Sequence, residues 1–110
     1  MTSIRSDTLY GTLNLLILRS LVGAEHHGLE IRHRIKEKSK NALKVDEGAI
    51  YPALHRLQKQ GLLTSEWRIS EKWRRAKYYR LTAAGRRHLE REESRWRAHA
   101  AAVDLVLDGK

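Results

Sequence analysis

The chain contains no cysteine. That excludes disulfide crosslinks and thiolate chemistry, and it fits a reducing compartment. No segment approaches the roughly 20 consecutive apolar residues of a spanning helix. Leu13 to Val22 is apolar enough to resemble the centre of a signal peptide, but no basic leading region or small-residue cleavage site frames it. Repeats, low-complexity tracts and linkers rich in proline or glycine are also missing. So are the usual marks of catalysis: a nucleophile-elbow glycine pattern, paired carboxylates, or a glycine loop that cradles phosphate. These absences lead us to expect a soluble cytoplasmic chain that is not an enzyme and carries no cofactor.

What is abundant is positive charge. With 110 residues the natural expectation is one domain, and the formal net charge is +9. The isoelectric point is about 10.3. A chain of this size buries about two-thirds of its unfolded surface, enough for one modest core. Such a basic balance suits a polyanion, and charge alone admits DNA, RNA or an anionic membrane.

Apolar spacing divides the chain. Leu9, Leu13, Leu16, Ile17 and Leu21 recur every three or four residues and predict a first helix over Thr8 to Val22, stopped by Gly23. A second helix is predicted from about Gly28 to Ser39, with Leu29, Ile31 and Ile35 apolar and Arg32, Arg34, Lys36 and Lys38 mainly outward. Asn41 to Val45 forms a turn. A third helix follows between Asp46 and Gln60, with Asp46 or Glu47 offering a carboxylate to its N-terminus and Pro52 near its first turn. Ile50, Leu54 and Leu57 face inward, and Gly61 ends it. Strands are predicted over Leu62 to Trp67 and Lys77 to Leu81, and Thr82 caps a last helix running to about Leu107. The fold class is therefore mainly α with a small β-hairpin: a winged helix-turn-helix over residues 1–81 and a C-terminal dimerisation helix over 82–110.

Opposite its apolar stripe the third helix presents Ala49, Tyr51, Pro52, His55, Arg56 and Lys59. Small Ala49 permits close approach to a sugar-phosphate chain. Tyr51 can bond a phosphate or lay its ring on a thymine methyl, and His55 and Arg56 can reach base edges or phosphates. The plainer reading is a solvated face with Tyr51 packed on a neighbour. The hairpin adds Lys72, Arg74, Arg75 and Lys77, with Arg68 and Arg80 on its arms. A basic ribbon that follows such a helix reaches the adjacent backbone or minor groove of a duplex. Crowded cations repel, and a phosphate backbone relieves that repulsion with counterion release. Glu66 and Glu71 soften the cluster, so a solvated turn is the alternative. Trp67 and Tyr79 are read as braces of the ribbon, and Trp73 lies near its tip.

On the last helix Leu89, Trp96 and Val103 repeat every seven residues, flanked by Glu93, Ala100 and Leu107. A stripe of this kind requires a second surface. Either a partner chain pairs with it through Leu89, Trp96, Ala100, Val103 and Leu107, or the helix folds back on the first helix of its own chain. Pairing is the favoured reading. His26, Glu30 and His33 share a helix face at a spacing that can ligate zinc, but no metal is expected there.

Four runs resemble one family in register. Asp46 to Leu57 followed by Gly61-Leu62-Leu63 is similar to the recognition helix of the PadR family of transcriptional regulators. Arg74 to Gly85 resembles that family's second wing strand and helix start. Gly11 to Leu18 and His27 to Ile31 resemble its first two helices. The length resembles the subgroup with a single C-terminal helix, and within the family a group common in acidobacterial genomes. The resemblance implies a homodimeric winged-helix repressor or regulator on a roughly palindromic operator in double-stranded DNA, joined through the C-terminal helix, often with the N-terminal helix. Some members of that subgroup bind flat aromatic compounds at the dimer interface, and Trp96 sits where such stacking would occur; plain interface packing is the simpler role. Two other functions stay open: a small-molecule sensor whose DNA affinity is secondary, and a sequence-neutral architectural protein. A membrane-surface role for the last helix is disfavoured, because Glu90, Glu92 and Glu93 interrupt its basic face.

Overall fold

A computed structural model describes residues 11–109. The start expected for the first helix, at Thr8 and Leu9, lies outside the described residues. Within them α1 spans Leu13–Ser20 and buries Leu13, Ile17 and Leu18. It loosens before the expected glycine stop: the N–H groups of Leu21 and Val22 bond carbonyls three residues back. Gly23 then turns the chain at φ +75°.

A two-residue strand, β1 (His26–His27), precedes α2 (Gly28–Lys38). No alternation or turn signal in the sequence marks this strand. His27 caps α2: its Nδ1 accepts the Glu30 N–H at 3.3 Å, and Glu30 Oε1 accepts the His27 N–H at 3.1 Å. The arrangement is a capping box with histidine in the place usually held by serine or threonine. Ile31 and Ile35 enter the core, whereas Leu29, on the opposite side, is exposed. Lys40 and Asn41 turn the chain at φ 53° and 68°. Arg32 then ties the turn down, donating from Nε to the Val45 carbonyl at 2.7 Å and from Nη1 to Glu47 at 3.2 Å. Arg32, expected mainly outward, is instead a staple, and Arg34 is half-buried.

Helix α3 (Glu47–Lys59) buries Ile50, Ala53, Leu54 and Leu57. Pro52 is its sixth residue rather than part of the first turn, so the Gly48 carbonyl lacks the N–H it would otherwise accept. The helix ends in a Schellman motif. Gly61 sits at φ +77°, with Leu62 N–H on the Leu57 carbonyl at 3.0 Å and Gly61 N–H on that of Gln58 at 2.9 Å.

Strands β2 (Leu63–Ile69) and β3 (Arg75–Leu81) form the hairpin, and β1 adds to the outer edge of β3, giving the antiparallel order β1-β3-β2. Both arms extend two residues nearer the tip than periodicity suggested. Helix α4 (Ala83–Leu107) starts at Thr82, whose Oγ1 accepts the Gly85 N–H at 3.0 Å. One core joins all four helices to the sheet base. It contains Leu13, Ile17 and Leu18 of α1, Ile31 and Ile35, the α3 stripe, Leu63, Tyr79 and Leu89. Among the described residues, four helices and a three-stranded antiparallel sheet make up the expected winged helix-turn-helix with a C-terminal helix. No helix among the described residues is long and apolar enough to cross a membrane.

Candidate nucleic-acid interface

The buried stripe of α3 fixes what the helix offers outward. Tyr51, Pro52, His55, Arg56 and Lys59 are all exposed. Their offsets place them along one side, as the 3.6-residue period requires. Ala49 differs: it is half-buried and packs against the core. Tyr51 is 50 % exposed, which leaves room for both readings of it. One side of its ring lies on the first residue of α2, so close that a Cβ on Gly28 would stand 2.7 Å from Cε1. The rest faces solvent. Gly28 thus seats Tyr51, and the expected reader is also a packing element.

The wing cations fall into three groups. Arg68 and Arg80 are paired: both bind Glu25 in the loop before β1, and Arg68 also binds Glu66. The guanidinium of Arg68 foremost, then that of Arg80, holds the Glu25 carboxyl below the usual range. Arg75 and Lys77 lie directly opposite Ile69 and Trp67 in the ladder, and both lean over Trp67. The Arg75 guanidinium is 4.9 Å and the Lys77 ammonium 5.7 Å from the ring centroid. Trp67, expected to be a brace, is 57 % exposed and serves as a platform that orders two cations. Tyr79 is the true brace: it is buried in the core, and burial pushes its phenol up. Lys72 and Arg74 form the third group. Both are exposed, and their side chains engage no described residue.

The base of the sheet holds a further titratable group. Both ring nitrogens of His26 are buried without a hydrogen bond, and Nδ1 stands 3.7 Å from Glu30 Oε1. Burial pulls its imidazole below the usual value, Arg34 and His27 add to that, and Glu30 opposes it. The side-chain set His26, Glu30 and His33 does not come together as a metal site, and no such group occurs among the described residues. A cleft of about 920 Å³ opens between α2 and the wing, but Arg32, Lys36 and Lys72 alternate there with Glu25, Glu37 and Glu71. Interleaved charges of this kind give no single-sign field for an anion.

At the far end of the molecule α4 divides into two stretches. Leu89, read from the sequence as an interface residue, is 3 % exposed and sits in its own chain's core, where α1 packs on α4. Beyond it Trp96 is 45 % exposed, Ala100 is half-buried, and Val103, Leu105, Val106 and Leu107 are exposed. A groove of about 560 Å³ separates α1 from α4, lined by Asn14, Leu15, His88, Arg95, Trp96 and His99.

Comparison with known proteins bears on this geometry. Residues 17–91 match the model of the transcriptional regulator PadR-like family. The chain is similar to a transcriptional regulator of Mycobacterium tuberculosis, 38 % identical over 98 residues that cover 89 % of this chain and 85 % of that one. A PadR-like transcriptional regulator from Bacillus cereus superposes with a TM-score of 0.79 at 30 % identity, covering 96 % of this chain and 100 % of the other. A transcriptional regulator from Clostridium thermocellum superposes with a TM-score of 0.81 at 27 % identity, covering 90 % and 96 %.

Proposed function

The chain belongs to the PadR-like family of transcriptional regulators rather than to any enzyme family, and from that premise we propose that it is a cytoplasmic, homodimeric, sequence-specific repressor acting on an inverted-repeat operator. One observation carries the reading. The exposed side of α3, with Tyr51, Pro52, His55, Arg56 and Lys59, adjoins a ribbon whose outer cations are unpaired or ordered on a tryptophan. The α3 helix enters the major groove and reads bases, while Lys72, Arg74, Arg75 and Lys77 hold the backbone. Residues 1–81 form the reading head. Residues 82–110 join two heads through Trp96, Ala100, Val103 and Leu107, whose apolar surface favours burial by a second copy. A two-fold axis then places the two α3 helices in successive major grooves, about 34 Å apart.

Selection of bound duplexes from a random pool tests this, and an inverted repeat is the expected outcome. Tyr51→Ala should weaken operator binding far more than nonspecific binding, while Arg75→Ala should weaken both. Unchanged operator affinity for Tyr51→Ala in a gel-shift titration would refute the assignment of α3 as reader. Equal retention of every duplex at fixed salt would instead identify a sequence-neutral architectural protein.

The groove beside Trp96 favours a second reading, in which a planar aromatic effector binds between α1 and α4. It predicts quenching of tryptophan emission by such compounds, lost in Trp96→Ala. Absence of quenching across a broad panel would sink it.

A further inference from the structure

The wing closes in three loop residues, Glu71, Lys72 and Trp73. Ser70 N–H bonds the Arg74 carbonyl at 2.7 Å, and Trp73 N–H bonds that of Ser70 at 2.9 Å. Trp73 occupies the left-handed position of this loop, at φ 59°. Such three-residue hairpin loops call for glycine or asparagine there, because a Cβ crowds the backbone. Placing a tryptophan in that conformation disfavours the folded state. No described residue offsets the penalty: the side chain is 89 % exposed and stands at the far end of the ribbon from the core. Local backbone preference and core packing both argue against this residue.

Its neighbours indicate what it meets. Lys72 and Arg74 flank it with side chains that engage no described residue, and Arg75 follows, leaning on Trp67. A flat apolar ring between free cations complements a surface that is anionic at its rims and apolar between them. The minor groove of duplex DNA has that form, with phosphates on both edges and sugar and base faces within. An anionic membrane also pairs rings with cations, but the ribbon offers one protruding ring rather than a broad apolar face.

We propose that Trp73 enters the minor groove beside the site held by α3, stacking on sugar or base, while Lys72 and Arg74 grip the two flanking strands. The proposal rests on the DNA-binding reading above and adds to it a sequence-sensing contact outside the major groove. A ring in that groove meets the guanine 2-amino group, so the flanking positions are sensed through groove width and that substituent.

The test uses the full chain and its selected operator. Trp73→Gly and Trp73→Asn both suit the left-handed position, so both should fold at least as well as the parent. Each should bind the operator roughly tenfold or more weakly. The salt dependence of binding should stay the same, since no cation is removed; Arg74→Ala should lower that slope by about one. Replacing flanking guanine by inosine, which alters only the minor-groove face, should change parental affinity and leave Trp73→Gly indifferent. In the double variant Trp67→Phe/Trp96→Phe, Trp73 is the sole tryptophan, and DNA should shift its emission to the blue and shield it from acrylamide. Parental affinity in both Trp73 variants, or emission unmoved by operator, overturns the proposal. So does shielding by anionic vesicles but not by duplex. If the parent selects no duplex, the DNA reading itself fails, and that failure is visible before any Trp73 variant is made.

Discussion

Replacing Gly85 by alanine should destabilise the protein, although alanine is the better helix former. Gly85 is the third residue of α4. A Cβ there would overlap the Leu62 carbonyl oxygen and stand 3.0 Å from the Leu62 carbonyl carbon and 3.3 Å from its Cα. These are backbone atoms, so no rotamer change relieves the clash. The same carbonyl accepts the Thr82 N–H at 3.1 Å, and Thr82 Oγ1 donates to the Gly61 carbonyl at 2.7 Å. The first turn of α4 must therefore back away from the end of α3 and lengthen bonds that hold the two together. Overpacking costs about 1–3 kcal/mol, and each weakened hydrogen bond costs about 1 kcal/mol. The gain in helix propensity returns up to about 1 kcal/mol. The net expectation is a loss of about 1–4 kcal/mol. Gly48 is the matched control: it is the second residue of α3, and a Cβ there meets nothing within 4 Å. Gly48→Ala should gain up to about 1 kcal/mol. Guanidinium chloride unfolding, with chain concentration fixed because association adds to stability, measures both. A midpoint for Gly85→Ala at or above the parent's would refute the reasoning, because propensity alone would then decide.

Two further outcomes follow from the core and the turn. His26 is held neutral by burial, so its folded-state pKa lies below the unfolded value near 6.5. The unfolded chain then binds more protons, and stability present above that value is lost as pH falls through the window below it. His26→Gln should flatten that part of the stability–pH curve, and an unchanged slope would show that His26 does not titrate there. Arg32→Leu removes the bond to the Val45 carbonyl and the pair with Glu47, and should cost about 1–2 kcal/mol with faster amide exchange in the turn before α3. Stability within about 0.5 kcal/mol of the parent would mean the staple is dispensable.

Helix faces were legible because burial repeats with the helical period. Ile50, Leu54 and Leu57 point inward as spacing required, and the exposed residues of α3 follow from them. Gly61 and Thr82 marked their boundaries for local reasons, a left-handed turn and a hydroxyl cap. What escaped depends on distant partners. His26 and His27 are a strand only because Tyr79 and Tyr78 lie beside them. Arg32 is expected outward and Glu25 stands in no sequence motif, because their partners are 13 to 55 residues away. Arg68, Ile69, Arg75 and Ala76 of the outer wing lie beyond the core, so no burial marks them as strand, and pairing across the hairpin holds them extended. Leu89 illustrates the limit of a heptad: spacing puts it on the stripe with Trp96, but the stripe passes from core to solvent along one helix.

The placement of the core residues on the ribbon has a consequence for how its length can change. Leu63, Tyr79 and Leu81 anchor the base, and the paired residues from Glu66 and Tyr78 outward are free of the core. Side chains on a strand alternate between faces, so adding one residue to each arm turns everything beyond it over. Trp67 and its two cations, or the whole tip, would then look the opposite way. Adding two residues to each arm restores the facing and carries the tip outward by about 7 Å. Reach is therefore quantised by parity. Across homologues that keep the same anchors, wings that keep their facing should differ by four residues in total, and those that differ by two should present an inverted tip.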